Sequence, residues 1–367
     1  MAEDHKYRVG ILGATGMVGQ WFIRLLESHP QFTVTALAAS DRSQGKTYGE
    51  ACAWRLPGGM PSYARLMVIH PPHPPLDCEI IFSSLPADVA KKSEAAFAEA
   101  GYPVISNSSA FRMDPAVPLL IPEVNPDHLG LLELQLQSPG SNGGYLVTNP
   151  NCSTIVLTLA LAPLQRTFGL EAVAATTLQA ISGAGYPGVA SLDITDNVLP
   201  FIEHEEEKIQ RETKKILGVY KGEKVEDAPM PVSAQCHRVN VSDGHTVAVR
   251  VKLSRPAKPV EVREAFETFT GVPQSMGLHS APSHPLIVRD EPDRPQPRLD
   301  RDAGRGMSVT IGRIAQDPVL DYRFVALGHN VVRGAAGAAI LNGELLIATG
   351  WLSKEKRMRN SLADSSR

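Results

Sequence analysis

A glycine-rich turn near the start of the chain limits its possible folds more than any other feature. The turn reads Gly13-Ala14-Thr15-Gly16-Met17-Val18-Gly19, between an apolar strand pattern at Tyr7–Leu12 and a helical pattern at Val18–Ser28. Backbone N–H groups at a helix start bind a pyrophosphate, and glycines let the backbone approach it. This context predicts a nucleotide site; the alternative interpretation is a tight turn without a ligand.

Strand and helix patterns alternate through the first half of the chain. Strands separated by helices of this length favour βαβ units and a parallel sheet. The other predicted elements of this half are strands at Phe32–Ala39, Cys78–Ser84 and Val104–Ser106 and a helix at Ala87–Ala100.

The second half mixes helices with β-branched strands, so it predicts a different kind of domain. Gln235–Leu253 is interpreted as two strands joined by Ser242-Asp243-Gly244, a hairpin signal with glycine in the left-handed position. Gly271–Gly306 is rich in proline and charge and is expected to be an ordered loop or a solvated linker. The other predicted elements are helices at Asn151–Leu164, Asp196–Leu217, Val260–Thr270 and Ala335–Thr349 and strands at Val173–Ile181 and Met307–Ile314.

Charge and cysteine content exclude several classes of protein. The 367 residues include 36 Lys+Arg and 39 Asp+Glu, and a net charge of -3 indicates neither nucleic acid nor an anionic membrane as partner. The four cysteines are too far apart for a disulfide framework or a zinc site, so we expect no metal. The longest apolar run, Ile155–Leu164, is about ten residues against the ~20 of a membrane helix. With no signal-peptide pattern, a cytoplasmic protein is expected.

The segment after the second predicted strand bears on the choice between NAD and NADP. It reads Ser40-Asp41-Arg42-Ser43-Gln44-Gly45-Lys46. Asp41 leaves NAD open, because an acidic side chain there can hold the ribose 2′-hydroxyl. Hydroxyl and cationic side chains favour the 2′-phosphate of NADP, and the alternative is an ordinary polar loop; these side chains are Ser40, Arg42, Ser43 and Lys46.

One cysteine stands at a predicted helix start. In Thr148-Asn149-Pro150-Asn151-Cys152, Asn151 can act as the N-cap, which places Cys152 in the first turn. The helix dipole and free N–H groups there are expected to lower the pKa of the thiol and to hold an oxyanion. A thiolate beside a nicotinamide predicts a thiohemiacetal that loses hydride and becomes a thioester. The alternative is a small buried cysteine.

Other polar residues are weaker signals. Gln179 ends an apolar strand before Ser182-Gly183-Ala184-Gly185, a loop that either faces a site or simply turns. Glu205 and Lys208 lie three apart on a helix, where a solvated salt-bridge face is the alternative. Arg112 follows a strand within a hydroxyl-rich loop that suits an anion or a hydrogen-bonded turn.

Arg238 and His245 flank the predicted hairpin. With a three-residue loop, His245 shares a face with Val239, Val241 and Val247, which is typical of a satisfied core histidine. Arg238 would then project from the opposite face. Bringing the two together requires a bulge or a site at the strand ends.

Together these segments resemble the aspartate-semialdehyde dehydrogenase family in its fungal and archaeal branch. The resemblance covers nearly the full chain, and its segments occur in the family order. Its most specific parts are Gly13–Gly19, Ser106–Arg112, Asn149–Cys152, Gln179–Gly185, Glu205–Lys208, Arg238–His245 and Asn330–Gly343.

The resemblance implies a role for individual residues. Cys152 would be the nucleophile that carries the acyl group, His245 the general acid–base, and Gln179 would position the substrate. The implied substrate-binding residues are Arg238 for the α-carboxylate, Glu205 for the amino group, Arg112 and Lys208 for phosphate, and Asn151. Contacts with NADP are implied for Gly13, Thr15, Gly16, Met17, Val18, Ser40, Ser43, Ser182, Gly183 and Asn330.

The resemblance also implies a fold and an assembly. The fold is α/β and similar to that of glyceraldehyde-3-phosphate dehydrogenase: an N-terminal Rossmann NADP-binding domain and a mixed α+β catalytic and dimerisation domain. Residues 1–150 and 331–367 would form the first domain, because the C-terminal helix returns to it, and residues 151–330 the second. A homodimer or homotetramer with a small-molecule substrate is expected.

The implied reaction is NADPH-dependent reductive dephosphorylation of L-aspartyl 4-phosphate to L-aspartate 4-semialdehyde, in the biosynthesis of lysine, methionine and threonine. One alternative is a malonyl-CoA reductase of the same superfamily, whose substrate has no amino group for Glu205. The other is a non-catalytic NADP-binding sensor, in which Cys152 would be an inert core residue.

Overall fold

Two six-stranded sheets organise the part of the chain that the structure describes. The structure is a computed structural model, and it describes residues 5–353 and Arg357. The segment 331–367 predicted to belong to the first domain therefore runs outside the described residues from 354 onward, apart from Arg357.

The first sheet is entirely parallel, with the strand order β3-β2-β1-β4-β5-β6. This confirms the predicted Rossmann-like sheet and adds two strands, β3 and β6, that the sequence patterns did not predict. Its strands are β1 Tyr7–Leu12, β2 Phe32–Ala38, β3 Ile69–His70, β4 Ile80–Ser83, β5 Pro103–Ser106 and β6 Tyr145–Thr148. The helices of this part are α1 Met17–Leu25, α2 Tyr48–Ala51, α3 Ser62–Arg65, α4 Ala87–Glu99 and α5 Leu131–Gln137.

The second sheet is mixed, with the order β10-β7-β11-β14-β13-β12. Side chains alternate between buried and partly exposed along β7 and β11, so one face packs on helices and the other is open. The strands are β7 Leu170–Gln179, β10 Val232–Arg238, β11 His245–Leu253, β12 Leu286–Val288, β13 Val309–Gln316 and β14 Tyr322–Gly328, with β8 Val219–Tyr220 and β9 Val225–Glu226 forming a separate ribbon. The helices are α6 Cys152–Phe168, α7 Ser191–Ile194, α8 Glu205–Ile216, α9 Pro259–Glu267, α10 Val272–Ser275 and α11 Pro297–Asp300.

The predicted hairpin within Gln235–Leu253 is wrong. Strand β7 lies between its two halves, pairing parallel with β10 and antiparallel with β11. The segment at Ser242-Asp243-Gly244 instead crosses the end of β7, where Ile181 and Ser182 donate to the carbonyls of Val241 and Ser242. A turn signal is local, whereas β7 comes from about 60 residues earlier.

Two other expectations are also corrected. The helix predicted from Asp196 begins only at Glu205, because Leu199 pairs through its backbone with Arg238 and the following proline cannot continue a helix. The proline-rich segment at Gly271–Gly306 is more than a loop, since it supplies the edge strand β12 together with α10 and α11.

The last helix, α12 at Gly337–Ala348, returns to the first sheet after a π-type turn at Val332–Ala336. Its Ile340, Leu345 and Leu346 pack in the same apolar cluster as Phe22 of α1 and Phe82 of β4. The turn also contacts α6, so the end of the chain reaches the start of the helix that bears Cys152. Across residues 5–353, no helix is both long and apolar enough to cross a membrane.

Candidate active site

A cavity of about 320 Å³ is lined by residues from both sheet regions. The start of α1, the loop after β5 and the start of the last helix come from one side. The start of α6, the loop after β7 and a lysine of α8 come from the other. The predicted site residues that line it are Met17, Val18, Arg112, Asn151, Cys152, Ser182, Gly183, Lys208 and Asn330.

Cys152 is the first residue of α6, as its N-cap pattern predicts. The side-chain oxygen of Asn151 accepts from the backbone N–H groups of Ser153 and Thr154 at 2.9 and 3.2 Å. The Cys152 sulfur lies 3.1 Å from Nε2 of His245, 93 residues later in the chain. The fold therefore brings these two residues, both named from the sequence, into direct contact at the Cys152 sulfur.

The backbone of Ala180 fixes both His245 and Arg238. Its N–H donates to His245 Nδ1 at 3.0 Å, and its carbonyl accepts from Arg238 Nη1 at 2.8 Å. Because Nδ1 is an acceptor, the proton of the neutral imidazole lies on Nε2 and faces the Cys152 sulfur. Sequence reasoning missed Ala180, since a backbone contact leaves no side-chain signal.

Arg238 and His245 do meet, contrary to the expectation that a hairpin would place them on opposite faces. Arg238 pairs in register with Gln179, and His245 directly precedes Thr246, which pairs with Leu178. The three polar side chains therefore stand side by side at the end of β7. From the sequence, either a bulge or a site at the strand ends was required for Arg238 and His245 to meet. The structure has the site at the strand ends.

The pKa values of the central pair differ from the sequence expectation. Burial raises the pKa of Cys152 to about 12, with the negative charge of Glu205 adding to the effect and Arg112 and Arg238 opposing it. Burial, helped by the positive charge of Arg238, lowers the pKa of His245 to about 3. The expectation of a lowered thiol pKa is wrong here, because desolvation and the charge of Glu205 outweigh the Ser153 N–H hydrogen bond and the charges of Arg112 and Arg238. The pair is a neutral thiol and a neutral imidazole at pH 7.

Glu205 gathers polar side chains behind the cysteine. Its carboxylate accepts from Asn151 Nδ2 at 2.8 and 3.0 Å, from Gln179 Nε2 at 3.2 Å and from Lys208 Nζ at 3.2 Å. Glu205 is 8% exposed, so its side chain faces the interior and not solvent. The geometry favours a binding role over the alternative of a solvated salt-bridge face.

Arg112 presents a fixed guanidinium to the same cavity. Nη2 donates to the Asn107 carbonyl at 2.7 Å and Nη1 to Glu212 Oε1 at 3.0 Å. Sequence reasoning missed Glu212, although it lies seven residues after Glu205 and so on the same helical stripe. Ser108 and Ser109 line the cavity beside Arg112.

The glycine turn has the backbone shape of a dinucleotide cradle. Gly13 has φ +77°, and a Cβ on Gly19 would lie 2.3 Å from the Gly13 carbonyl oxygen. Gly16 is the N-cap of α1, and Thr15 stands beside it in the turn. A bound pyrophosphate fits such a glycine-lined helix start.

Other predicted cofactor contacts lie at two places. Ser40 and Ser43 follow β2, outside the cavity lining, where a parallel sheet places the ribose end of a dinucleotide. Asn330 accepts from the Gly244 N–H and donates to the Ser182 hydroxyl, both at 2.8 Å. Gly183 has no room for a side chain, since a Cβ would lie 2.7 Å from Arg238 Nη1.

Gly334, in the π-type turn, is a further site residue that the sequence patterns did not reveal. A Cβ there would lie 2.6 Å from the Cβ of Cys152. The turn that leads into the last helix is therefore in van der Waals contact with Cys152, and a glycine in an apolar helix gives no such signal by itself.

Comparison with known proteins identifies the class. Residues 8–132 match the family described as semialdehyde dehydrogenase, NAD binding domain, and residues 161–333 match semialdehyde dehydrogenase, dimerisation domain. The parallel sheet with its glycine turn and the mixed sheet are thus those of a semialdehyde dehydrogenase.

Full-length relatives narrow the class to one family. The chain is 54% identical to an aspartate-semialdehyde dehydrogenase of Archaeoglobus fulgidus, covering 93% of this chain and 98% of the relative. It is 48% identical to that of Cryptococcus neoformans, covering 96% and 100%. The crystal structure of aspartate semialdehyde dehydrogenase with NADP from Candida albicans superposes with a TM-score of 0.88 at 42% identity, covering 94% and 99%. The chain belongs to the aspartate-semialdehyde dehydrogenase family, which confirms the resemblance seen in the sequence.

Proposed function

We propose that the chain catalyses NADPH-dependent reductive dephosphorylation of L-aspartyl 4-phosphate to L-aspartate 4-semialdehyde. The observation that carries the proposal is the 3.1 Å contact between Cys152 and His245 at the start of α6, in a cavity that also reaches the start of α1. This reaction supplies the biosynthesis of lysine, methionine and threonine. A cytoplasmic location accords with it.

The charges around the cavity match the substrate. Aspartyl phosphate has one ammonium group and several anionic oxygens, and the residues assigned to it offer one acid and three bases. Arg238 binds the α-carboxylate with its forked donors, and Glu205 binds the ammonium group. Arg112 and Lys208 bind the phosphate. Gln179 positions the substrate and Asn151 takes part in binding it, and the amide groups of both also donate to Glu205. Malonyl-CoA has no amino group for Glu205 to bind. A non-catalytic NADP-binding sensor does not require a cysteine in contact with a histidine, as Cys152 and His245 are.

The glycine turn and the loops around it hold NADP. The residues in contact are Gly13, Thr15, Gly16, Met17, Val18, Ser40, Ser43, Ser182, Gly183 and Asn330. When bound, the reduced cofactor supplies the hydride that reduces the acyl group.

Cys152 forms and breaks the covalent bonds. Its sulfur attacks the acyl carbon, the bond from that carbon to the phosphate oxygen breaks, and the thiol proton leaves with the phosphate. After reduction, the carbon–sulfur bond breaks and the thiolate recovers a proton from solvent. One proton and one NADPH are consumed for each semialdehyde and phosphate released.

His245 holds a proton at Nε2 throughout. That N–H donates first to the sulfur and then to the oxygen that becomes negative on the acyl carbon. The neighbouring N–H of Ala180 opposes protonation of Nδ1, so we assign His245 the part of a hydrogen-bond donor in place of the acid–base role expected from the sequence. The positive end of the α6 helix dipole stabilises the same oxygen.

The domain division and assembly follow from the same fold. We assign residues 1–150 and 331–367 to dinucleotide binding and residues 151–330 to catalysis and dimerisation.

A second copy packs on the open face of the mixed sheet and on the segment that follows β7. These two surfaces leave large apolar side chains exposed, which marks an interface; they are Leu178 on the sheet and Tyr186, Leu192, Val198 and Phe201 in the segment after β7. A homodimer, or a homotetramer built from it, is the assembly.

One assay tests the proposed reaction. The full chain is mixed with NADP, aspartate semialdehyde and inorganic phosphate, and the absorbance of the reduced cofactor is followed. Phosphate-dependent reduction of NADP supports the proposal. If NADP is not reduced in this assay and the protein instead turns over malonyl-CoA with NADPH, the proposed reaction is wrong.

A further inference from the structure

Four charged residues lie on one stripe of α8, spaced three, four and three residues apart. They are Glu205, Lys208, Glu212 and Lys215. The proposed function uses the first two, yet Glu212 is 2% exposed and Lys215 is 4% exposed. Buried charges of this kind persist only where they are paired, so their partners show what they do.

The carboxylate of Glu212 divides between two parts of the site. Oε1 accepts from Arg112 Nη1 at 3.0 Å, and Oε2 accepts from the backbone N–H of Asn151 at 2.6 Å. Arg112 belongs to the loop after β5, and Asn151 directly precedes Cys152. A single side chain therefore links the anion-binding guanidinium to the residue that caps the nucleophile's helix.

Asn151 uses all of its polar groups in these contacts, and Arg112 is held at both terminal nitrogens. Asn151 uses its N–H with Glu212, its Oδ1 with the first turn of α6 and its Nδ2 with Glu205. Arg112 uses Nη2 with the Asn107 carbonyl, while its buried Nε has no partner in the described part of the chain. The orientation of the guanidinium in the cavity thus depends on Glu212.

Lys215 secures the same loop one turn further along. Its ammonium group donates to the carbonyls of Arg112, Asp114 and Val117 at 2.7–2.8 Å. The loop backbone is therefore held by Lys215 whether or not Glu212 is present. Loss of Glu212 frees the Arg112 side chain without releasing the loop.

We propose that Glu212 is a positioning residue that sets the phosphate-binding group of Arg112 relative to Cys152. The inference rests on the proposed function. Its consequence is a selective one: Glu212 governs phosphate binding and the step that forms or breaks the phosphate bond. Cofactor binding is independent of it, since the glycine turn lies on another element.

The test is Glu212→Gln in the full-length protein. Glutamine keeps the size of the side chain but has one acceptor oxygen, so its NH₂ group must face one of the two donors. We expect the KM for phosphate to rise about tenfold and kcat to fall, as for loss of one charged hydrogen bond, with NADP affinity within twofold of wild type. In an Arg112→Met background the same change should add less than about twofold to the phosphate KM.

The matched control is Glu344→Gln. Glu344 is an equally buried carboxylate on α12, paired with His29 and Ser280 away from the cavity. Equal changes in both variants, or an unchanged phosphate KM in Glu212→Gln, would overturn the inference. If Glu212→Gln fails to fold, Glu212→Asp replaces it, because its shorter carboxylate cannot reach both donors.

Phosphate binding is also measured without turnover. Line broadening in phosphorus NMR gives the affinity of inorganic phosphate for wild type and variants. Weaker binding in Glu212→Gln but not in Glu344→Gln supports the inference even if aspartate semialdehyde is not the substrate, and equal binding overturns it. Absence of wild-type turnover with normal phosphate binding contradicts the proposed function alone.

Discussion

The Nε2 proton of His245 points at the sulfur of Cys152 across 3.1 Å, because the Ala180 N–H occupies the other ring nitrogen. This relationship makes the histidine a donor to negative charge on sulfur or oxygen. It also makes the ring a poor acceptor for the thiol proton. The proposed chemistry fits this geometry, since the thiol proton leaves with phosphate.

Replacing the nucleophile should separate binding from chemistry. Cys152→Ser is expected to abolish detectable turnover, because a serine hydroxyl is a far weaker nucleophile and thioester formation is lost. NADP binding, measured by fluorescence titration, should stay within twofold of wild type. Cys78→Ser, in a buried cysteine beside β4, is the control and should keep activity. Appreciable turnover by Cys152→Ser would remove the thioester from the mechanism.

The thiol should react slowly at neutral pH and faster as the pH rises. With a pKa near 12, its alkylation rate by iodoacetamide should increase about tenfold per pH unit between pH 7 and 9, because only the thiolate reacts. Glu205→Gln removes a negative charge that raises this pKa, so it should speed alkylation at fixed pH. Glu207→Gln, exposed on the same helical turn, should not. A plateau in the wild-type rate near pH 7 would contradict the raised pKa.

Arg238→Lys keeps the positive charge but loses the forked donors and the bond to the Ala180 carbonyl. We expect kcat/KM for aspartate semialdehyde to fall by about 10–100-fold, the loss typical of one or two charged hydrogen bonds. Steady-state kinetics provide the measurement, with NADP affinity unchanged. The control is Arg255→Lys on the exposed surface. Wild-type kinetics in Arg238→Lys would remove this residue from the site.

Gly334→Ala tests the contact between the last helix and the nucleophile. The added Cβ would stand 2.6 Å from the Cys152 Cβ, so the cysteine must shift. Moving the Cys152 side chain out of its place in the cavity should lower kcat by about 10–100-fold. Gly59→Ala, where an added Cβ meets nothing within 4 Å, should leave kcat unchanged. If the two variants match in rate and in thermal unfolding, the close contact has no catalytic consequence.

Exposed apolar side chains after β7 should govern assembly. The double change Leu192→Asp and Phe201→Asp places two charges where 91% and 67% of each side chain is exposed. We expect the dimer to dissociate into monomers at micromolar protein concentration. Sedimentation velocity measures this change. Leu66→Asp, 78% exposed on the first domain, should leave the sedimentation coefficient unchanged. An intact dimer in the double variant would place the interface elsewhere.

Local sequence patterns predicted the parts of this molecule that depend on local physics. The glycine turn and the N-cap of Cys152 were predictable because each is set within a few residues. The meeting of Arg238 with His245 was not, because it depends on β7 lying between two strands that are neighbours in the chain. The same holds for Glu212, whose partners lie 100 and 61 residues away.

The thiol pKa was mispredicted for a related reason. A helix start can be identified from the Asn151-Cys152 pattern, and its dipole alone lowers the pKa of a thiol. The opposing desolvation depends on how deeply the fold buries Cys152 and on where it brings Glu205. Neither quantity is local to the motif.

The return of the last helix to the first sheet has a consequence for when the site forms during synthesis of the chain. Gly334 and Asn330 are among the last residues of the described chain to leave a ribosome, and both belong to the cavity. A growing chain already contains Cys152, His245 and the glycine turn, but it lacks one wall of the cavity. Domains fold largely in the order of synthesis. Catalysis therefore has to wait until translation has passed Gly334, and a chain that ends before this residue carries Cys152 without a completed cavity.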